Sequence, residues 1–195
     1  MVGDPHTSLE QPSAWVTRFA SLIGAGEVLD LACGGGRHAR FLAAKGYRVL
    51  AVDRDAAALR KLAAAGIHTM QFDLERNDGT AQAWPFESNR FAGIVVTNYL
   101  HRPLFAKIID SLAPNGVLIY ETFAQGNEQF GKPSNPDYLL VPSELLKLAN
   151  LHPAQPMRVI AFEDGYVDVP RPAMMQRICS MKAPANVDCS CLRLI

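Results

Sequence analysis

Three carboxylates and a run of glycines are the parts of this chain whose types and spacing could do chemistry together. Asp30 stands four positions before Gly34, while Asp53 and Asp73 close two later apolar runs, Arg48–Val52 and His68–Phe72. A turn such as Cys33-Gly34-Gly35-Gly36 lets backbone N–H groups approach a ligand that any Cβ would block, and a helix opening behind it adds positive potential. A carboxylate at a strand end can accept hydrogen bonds on both oxygens, which suits the two hydroxyls of a ribose at Asp53. Asp73 could accept from an adenine amino group and Asp30 could oppose an ammonium. Each acid alone reads equally well as a helix cap or a solvated strand end. Jointly they should project toward one carboxyl edge of a sheet, where open α/β folds bind small ligands.

The elements that must position these groups follow from alternating apolar runs and helical stretches between about Glu27 and Leu151, the pattern of βαβ units around a parallel sheet. Pro12–Ile23 reads as a leading helix, with Ser13 at its cap and Gly24 and Gly26 ending it. Glu27–Cys33 is the first strand, Arg37–Lys45 a helix stopped by Gly46, and Arg48–Val52 the second strand. Asp55 caps an Ala-rich helix through Ala65, closed by Gly66, before the third strand at His68–Phe72. Asn77-Asp78-Gly79 and Trp84-Pro85-Phe86 mark turns rather than a long helix. Phe91–Thr97 is the fourth strand, Pro103–Leu112 a helix, and Pro114-Asn115-Gly116 a turn into the fifth strand, Val117–Thr122. The stretch 124–141, with Gly126, Gly131, Pro133 and Pro136, is long enough to be a functional loop, expected as a lid over the site. Ser143 starts a helix through Asn150. Arg158–Phe162 and Met174–Met181 complete the sheet as an antiparallel pair turning at Glu163-Asp164-Gly165. Residues 1–26 thus form a leading segment, 183–195 a tail, and the chain is one α/β domain.

Composition removes several function classes. Lys+Arg and Asp+Glu number 19 each in 195 residues, so no global field would hold a polyanion and no nucleic-acid partner is expected. No run approaches the roughly 20 apolar residues of a membrane span, and Met1–Gln11 lacks the form of a secretory signal, which points to a cytoplasmic protein. Cys33, Cys179, Cys189 and Cys191 form no paired CxxC sites, so no metal is expected. Oligomeric state leaves no signature here.

With these residues in view, the chain resembles the class I S-adenosylmethionine-dependent methyltransferases. Val28-Leu29-Asp30-Leu31-Ala32-Cys33-Gly34-Gly35-Gly36-Arg37 looks like their first motif, Val52-Asp53 like the second, and Phe72-Asp73-Leu74 like the third. The resemblance implies a doubly wound, mostly parallel seven-stranded sheet in the order 3-2-1-4-5-7-6, last strand antiparallel, with helices on both faces. It implies S-adenosyl-L-methionine as cofactor and a binding set of Asp30, Ala32, Cys33, Gly34, Gly36, Arg37, Asp53, Arg54, Asp73, Leu74 and Asn98. Gly34 and Gly36 would let the backbone meet the methionine end, Asp53 would hold the ribose, Asp73 with Leu74 the adenine, and Asn98 would lie beside the methionine part. A narrower similarity to small tellurite-resistance and thiopurine-type methyltransferases suggests a small-molecule acceptor.

Methyl transfer from a sulfonium is an in-line displacement, so a base is needed only when the nucleophile must lose a proton. Thr97-Asn98-Tyr99-Leu100-His101-Arg102 lacks both prolines of the Asn/Asp-Pro-Pro-Tyr/Phe motif of base-modifying relatives, which argues against adenine in DNA. His101 as base, Arg102 as a clamp, and Tyr120 and Glu121 at the fifth strand end are the catalytic candidates, each with a structural reading beside it. The rival is an NAD(P)-dependent oxidoreductase, because Gly34-x-Gly36-x-x-Ala39 also fits the dinucleotide pattern. That pattern leaves Asp30 and Asp73 without a role. A non-catalytic cofactor-binding protein is the third reading.

Overall fold

The computed structural model describes residues 11–65, 67–75, 84–151 and 157–183. The expected stop at Gly66, the turn at Asn77-Asp78-Gly79, and Cys189 and Cys191 lie outside those residues.

Apolar side chains that occupy consecutive positions must be buried on both faces of a sheet, and this is how the central strands form. β1 (Glu27–Leu31), β2 (Arg48–Asp53) and β4 (Phe91–Thr97) are buried along nearly their whole length. With β3 (His68–Gln71), β5 (Leu112–Phe123), β6 (Met157–Val167) and β7 (Ala173–Lys182) they make one seven-stranded sheet in the order β3-β2-β1-β4-β5-β7-β6. The first five strands pair in parallel and β7 runs antiparallel to both β5 and β6. Fold class and strand order are those the resemblance implied.

Alternation along the strands sorts the core into two layers. Val28, Val49, Ala51, Val95, Val117 and Ile119 meet α1 (Ala14–Phe19), α2 (Arg37–Ala44) and α3 (Ala56–Ala63), while Leu29, Leu31, Ile94, Val96 and Leu118 meet α4 (Phe105–Ser111) and α5 (Glu144–Leu148). α1 is capped as expected, the Ser13 hydroxyl accepting from the Trp15 and Val16 N–H groups. It is tied to the far side of the sheet by the Trp15 indole, which donates to the Ile178 carbonyl at 3.2 Å. No helix among the described residues is long and apolar enough to cross a membrane.

Three local expectations change. Pro114-Asn115-Gly116 is not a turn before the fifth strand but an irregularity inside it: the register slips between Phe91↔Leu112 and Gly93↔Val117. Asn115 sits at φ 64, and a Cβ on Gly116 would lie 2.7 Å from the Ala113 carbonyl oxygen. Glu163-Asp164-Gly165 likewise remains in β6, opposite Arg177, Gln176 and Met175, and the chain reverses at 168–172. Two prolines there, Pro170 and Pro172, lack the N–H that further pairing needs. The Ser143 side chain does not cap α5. Its residue takes φ 60, and its N–H donates to the Asp164 carboxylate at 3.0 Å.

Lys182 shows how the hairpin secures the opposite layer. Its ammonium, almost fully buried, donates to the carbonyls of Ile109, Asp110 and Leu112 and to Asn89 Oδ1 at 2.7–3.2 Å, closing the C-terminal end of α4. Burial lowers its pKa from the ordinary lysine value. Lys182→Met keeps the stem and removes every one of these bonds, so urea unfolding should show a loss of about 2–3 kcal/mol.

Candidate active site

β1 is hydrogen-bonded on both sides, so the chain must leave it steeply at the carboxyl edge. Ala32 turns with φ 53, the Cys33 N–H donates to the Val52 carbonyl at 3.0 Å, and the Gly34 N–H donates to Asp53 Oδ2 at 2.7 Å. Asp53 Oδ1 accepts from the Asp55 N–H at 2.9 Å. One carboxylate therefore fixes both the glycine loop and the start of α3, and each oxygen keeps a lone pair for a ligand hydroxyl.

The two glycines of the loop have different physical reasons. Gly34 has φ 53 with open space where a Cβ would stand. Gly36 has φ 74, and its Cβ would fall 2.4 Å from the Leu62 methyl carbons, so its smallness serves the packing of α3 rather than approach of a ligand. Of the two glycines expected to let the backbone meet the cofactor, Gly34 faces open space and Gly36 faces Leu62.

Asp30, in the middle of the sheet, is 1% exposed. It accepts from the Ala39 N–H in the first turn of α2, while its Oδ2 has no hydrogen-bond partner. Burial raises its pKa from 3.8 to about 7, a rise offset in part by that N–H and by Arg37. His38 is the next buried polar group. Its Nε2 accepts from the Ser13 N–H at 3.1 Å, which puts the ring proton on Nδ1, 3.2 Å from Thr97 Oγ1. Burial, with the Arg37 charge beside it, lowers its pKa to about 3, so the ring is a neutral strut between α2, β4 and the segment before α1. Cys33 is buried, and its thiol pKa is pushed well above the ordinary range by burial and by Asp30 and Asp53.

Three cavities open along this edge. One of about 820 Å³ is walled by Ala32, Cys33, Gly34, Arg37, His38 and Asn98 among others. A second of about 280 Å³ gathers Ala32, Asp53, Arg54, Phe72, Asp73, Leu74, Glu75, Asn98 and Tyr99. A third of about 310 Å³ lies between residues 11–14 and the hairpin, with Arg37, Asn98, Glu121, Phe123, Ala173, Met175 and Arg177 in its wall. Asn98 belongs to all three. It takes φ 54 at the end of β4, and its N–H donates to the Glu121 carbonyl at 3.0 Å.

The structure thus brings Ala32, Cys33, Gly34, Arg37, Asp53, Arg54, Asp73, Leu74 and Asn98 to one edge, with Asp30 beneath them. Glu121 reaches the third cavity. The other three catalytic candidates do not line any of the three cavities. Arg102 grips Glu144 through two nitrogens at 2.6 and 3.0 Å and donates to the Asp137 and Leu139 carbonyls. Tyr120 is fully buried and donates to the Tyr99 carbonyl at 2.9 Å. His101 precedes the short 3₁₀ turn Arg102–Leu104. The segment 124–141 is fastened by those Arg102 bonds and by the bridge Ala124↔Leu140, and none of its residues enters these cavities. Sequence reasoning missed the wall of the third cavity. Its signal was present in the period of two that puts Ala173, Met175 and Arg177 on one face of β7, opposite Val167, Phe123 and Glu121.

This fold and this edge define a class I methyltransferase architecture. A family model described as a methyltransferase domain matches residues 28–116. The chain is 34% identical over 132 residues to a protein-L-isoaspartate O-methyltransferase of Chlorobaculum tepidum, a match covering 66% of this chain and 57% of that protein. Among solved structures, an S-adenosylmethionine-dependent methyltransferase of Methanosarcina mazei superposes with a TM-score of 0.65 at 14% identity, covering 89% of this chain and 99% of that one. TehB of Haemophilus influenzae superposes at 0.70 with 16% identity, over 88% of this chain and 62% of that one. These structural likenesses carry the fold. Residues 28–116 thus match a methyltransferase domain, and the chain has the fold of S-adenosylmethionine-dependent methyltransferases.

Two outcomes follow from this geometry. Because the folded pKa of Asp30 lies above its ordinary value, the folded chain holds a proton that the unfolded chain releases, and stability is lost as pH rises from about 4 to about 7. Urea titrations should show that decline in wild type and a flatter profile in Asp30→Asn. Gly36→Ala should cost about 2–3 kcal/mol, and Leu62→Ala in the same chain should recover part of it in a double-mutant cycle.

Proposed function

We propose that this protein transfers a methyl group from S-adenosyl-L-methionine to a small-molecule acceptor. The observation that carries the reading is Asn98, at which the acid-lined cavity and the apolar cavity meet. The residues present fit the cofactor. The unpartnered Oδ2 of Asp30, buried beneath the glycine loop, suits an ammonium group and would hold the carboxylate form against the cost of burial. Asp53 would receive the ribose hydroxyls on its remaining lone pairs. Asp73 and Leu74, with Phe72 and Arg54 in the same wall, would receive the adenine. Gly34 and Asn98 flank the path between them. When bound, the cofactor supplies an electrophilic methyl carbon on a sulfonium. The chain's part is to orient that carbon toward the third cavity and to exclude water from it.

Hydride transfer is the weaker reading. A dinucleotide would need a second mononucleotide half, and beyond β5 this sheet ends in the antiparallel pair β6–β7.

Isothermal titration with S-adenosylhomocysteine and with NAD and NADP tests the reading directly. Binding of S-adenosylhomocysteine is expected, with proton release near pH 6–7 that disappears in Asp30→Asn. Tight binding of a nicotinamide dinucleotide and no response to S-adenosylhomocysteine would sink it. Asp53→Ala should weaken S-adenosylhomocysteine by about tenfold or more, while His101→Ala should leave its affinity within about twofold. Binding without transfer to any compound in a screen of small thiols, phenols, carboxylates and chalcogen oxyanions would favour a non-catalytic protein.

A further inference from the structure

The third cavity has one acid in its wall, and that acid is placed to choose the acceptor. We propose that the acceptor binds here through a nucleophile that still carries its hydrogen, a thiol or hydroxyl on a small, mainly apolar body, and that Glu121 takes the hydrogen bond and then the proton. The inference rests on the methyltransferase reading and deepens it.

Several observations converge. Glu121 is 4% exposed, and its Oε2 makes no hydrogen bond, whereas buried carboxylate oxygens are ordinarily satisfied. Arg177, directly opposite on β7, approaches that oxygen to 3.2 Å as an ion pair without hydrogen-bond alignment, and its other end reaches Glu163 at 3.3 Å. The carboxylate is therefore charge-balanced and held in place, yet still lacks a donor. Its own backbone carbonyl receives the Asn98 N–H, so the acid stands beside the junction of the donor and acceptor cavities. Around it the wall is apolar: Phe123, Val167, Ala173 and Met175.

An ionised nucleophile such as a carboxylate has no hydrogen to give and would leave the Glu121 oxygen without a donor. A thiol or hydroxyl supplies the missing donor instead. In the step itself the proton leaves the nucleophile for Glu121 and its electron pair remains behind. That pair forms the new bond to the methyl carbon while the carbon–sulfur bond breaks with its electrons on sulfur. The carboxylate and the sulfonium both end neutral, so charge balances. Arg37 and Arg171 line the same cavity and Arg177 is paired with Glu121 and Glu163, so the preference rests on the missing donor and not on the charge of the wall.

The probes are phenylmethanethiol, phenol and benzoate, which share a ring and differ at the nucleophile, observed by saturation-transfer NMR on the full chain saturated with S-adenosylhomocysteine. Phenylmethanethiol and phenol, both protonated at neutral pH, should bind at least tenfold more tightly than benzoate. Glu121→Gln should weaken both by tenfold or more while S-adenosylhomocysteine affinity changes less than twofold. Benzoate binding as well as phenol, or an unchanged phenol affinity in Glu121→Gln, would overturn the proposal and leave the methyltransferase reading standing on the retained S-adenosylhomocysteine. Failure of the wild type to bind S-adenosylhomocysteine would remove both. Should Glu121→Gln fail to unfold cooperatively, Met175→Trp occupies the cavity from the facing strand. It should abolish probe binding with S-adenosylhomocysteine affinity intact, and persistence of probe binding there would equally overturn the assignment.

Discussion

β1 runs through the middle of the sheet with a parallel partner on each side and helices over both faces, and the rest of the site depends on how the chain leaves it. The buried backbone groups of the strand must all find partners, and where the chain leaves it the neighbouring strand supplies them. Val52 supplies a carbonyl to Cys33 and Asp53 a carboxylate oxygen to Gly34, so the end of β2 becomes the mould for the loop that follows β1. The left-handed backbone at Ala32, Gly34 and Gly36 is the bend this mould requires. Once the loop is set, α2 begins at Arg37, His38 is drawn under the segment before α1, and Asp53 and Asp73, which follows β3, share one edge above Asp30.

The same constraint separates groups that hold the site from groups that can react. Arg102 and Tyr120 seemed equally eligible beside Glu121. The structure ties Arg102 to Glu144 and the 124–141 segment, and buries Tyr120 against the Tyr99 carbonyl. Both have their hydrogen-bonding capacity used by the fold. Glu121 alone among them combines burial, a cavity position and an oxygen without a donor. His38 is a neutral buried link whose two nitrogens are both engaged.

Much of the glycine loop and its acidic edge was legible in the sequence, because it is local. Apolar runs closed by Asp53 and Asp73, and the glycines after Asp30, lie within a few residues of the backbone features they create. The period of two or 3.6 residues is enough to place them. Turn chemistry misled where pairing overrode it: Pro114-Asn115-Gly116 and Glu163-Asp164-Gly165 carry turn residues, yet neighbouring strands hold both segments in the sheet.

By itself, then, the sequence determined the parallel core and the acidic carboxyl edge, since burial on both faces and short-range spacing allow few other arrangements, while the strand order came from the family resemblance. The division of labour between Gly34 and Gly36, the burial of Asp30 and His38, and the cavity beside Glu121 were decided only by tertiary structure. Each depends on a residue far along the chain: Leu62 against Gly36, Ser13 against His38, and Arg177 against Glu121. Such pairs have no period in the sequence. They come into contact only when α1, α3 and the β6–β7 hairpin pack against the edge that β1, β2 and β4 have already formed.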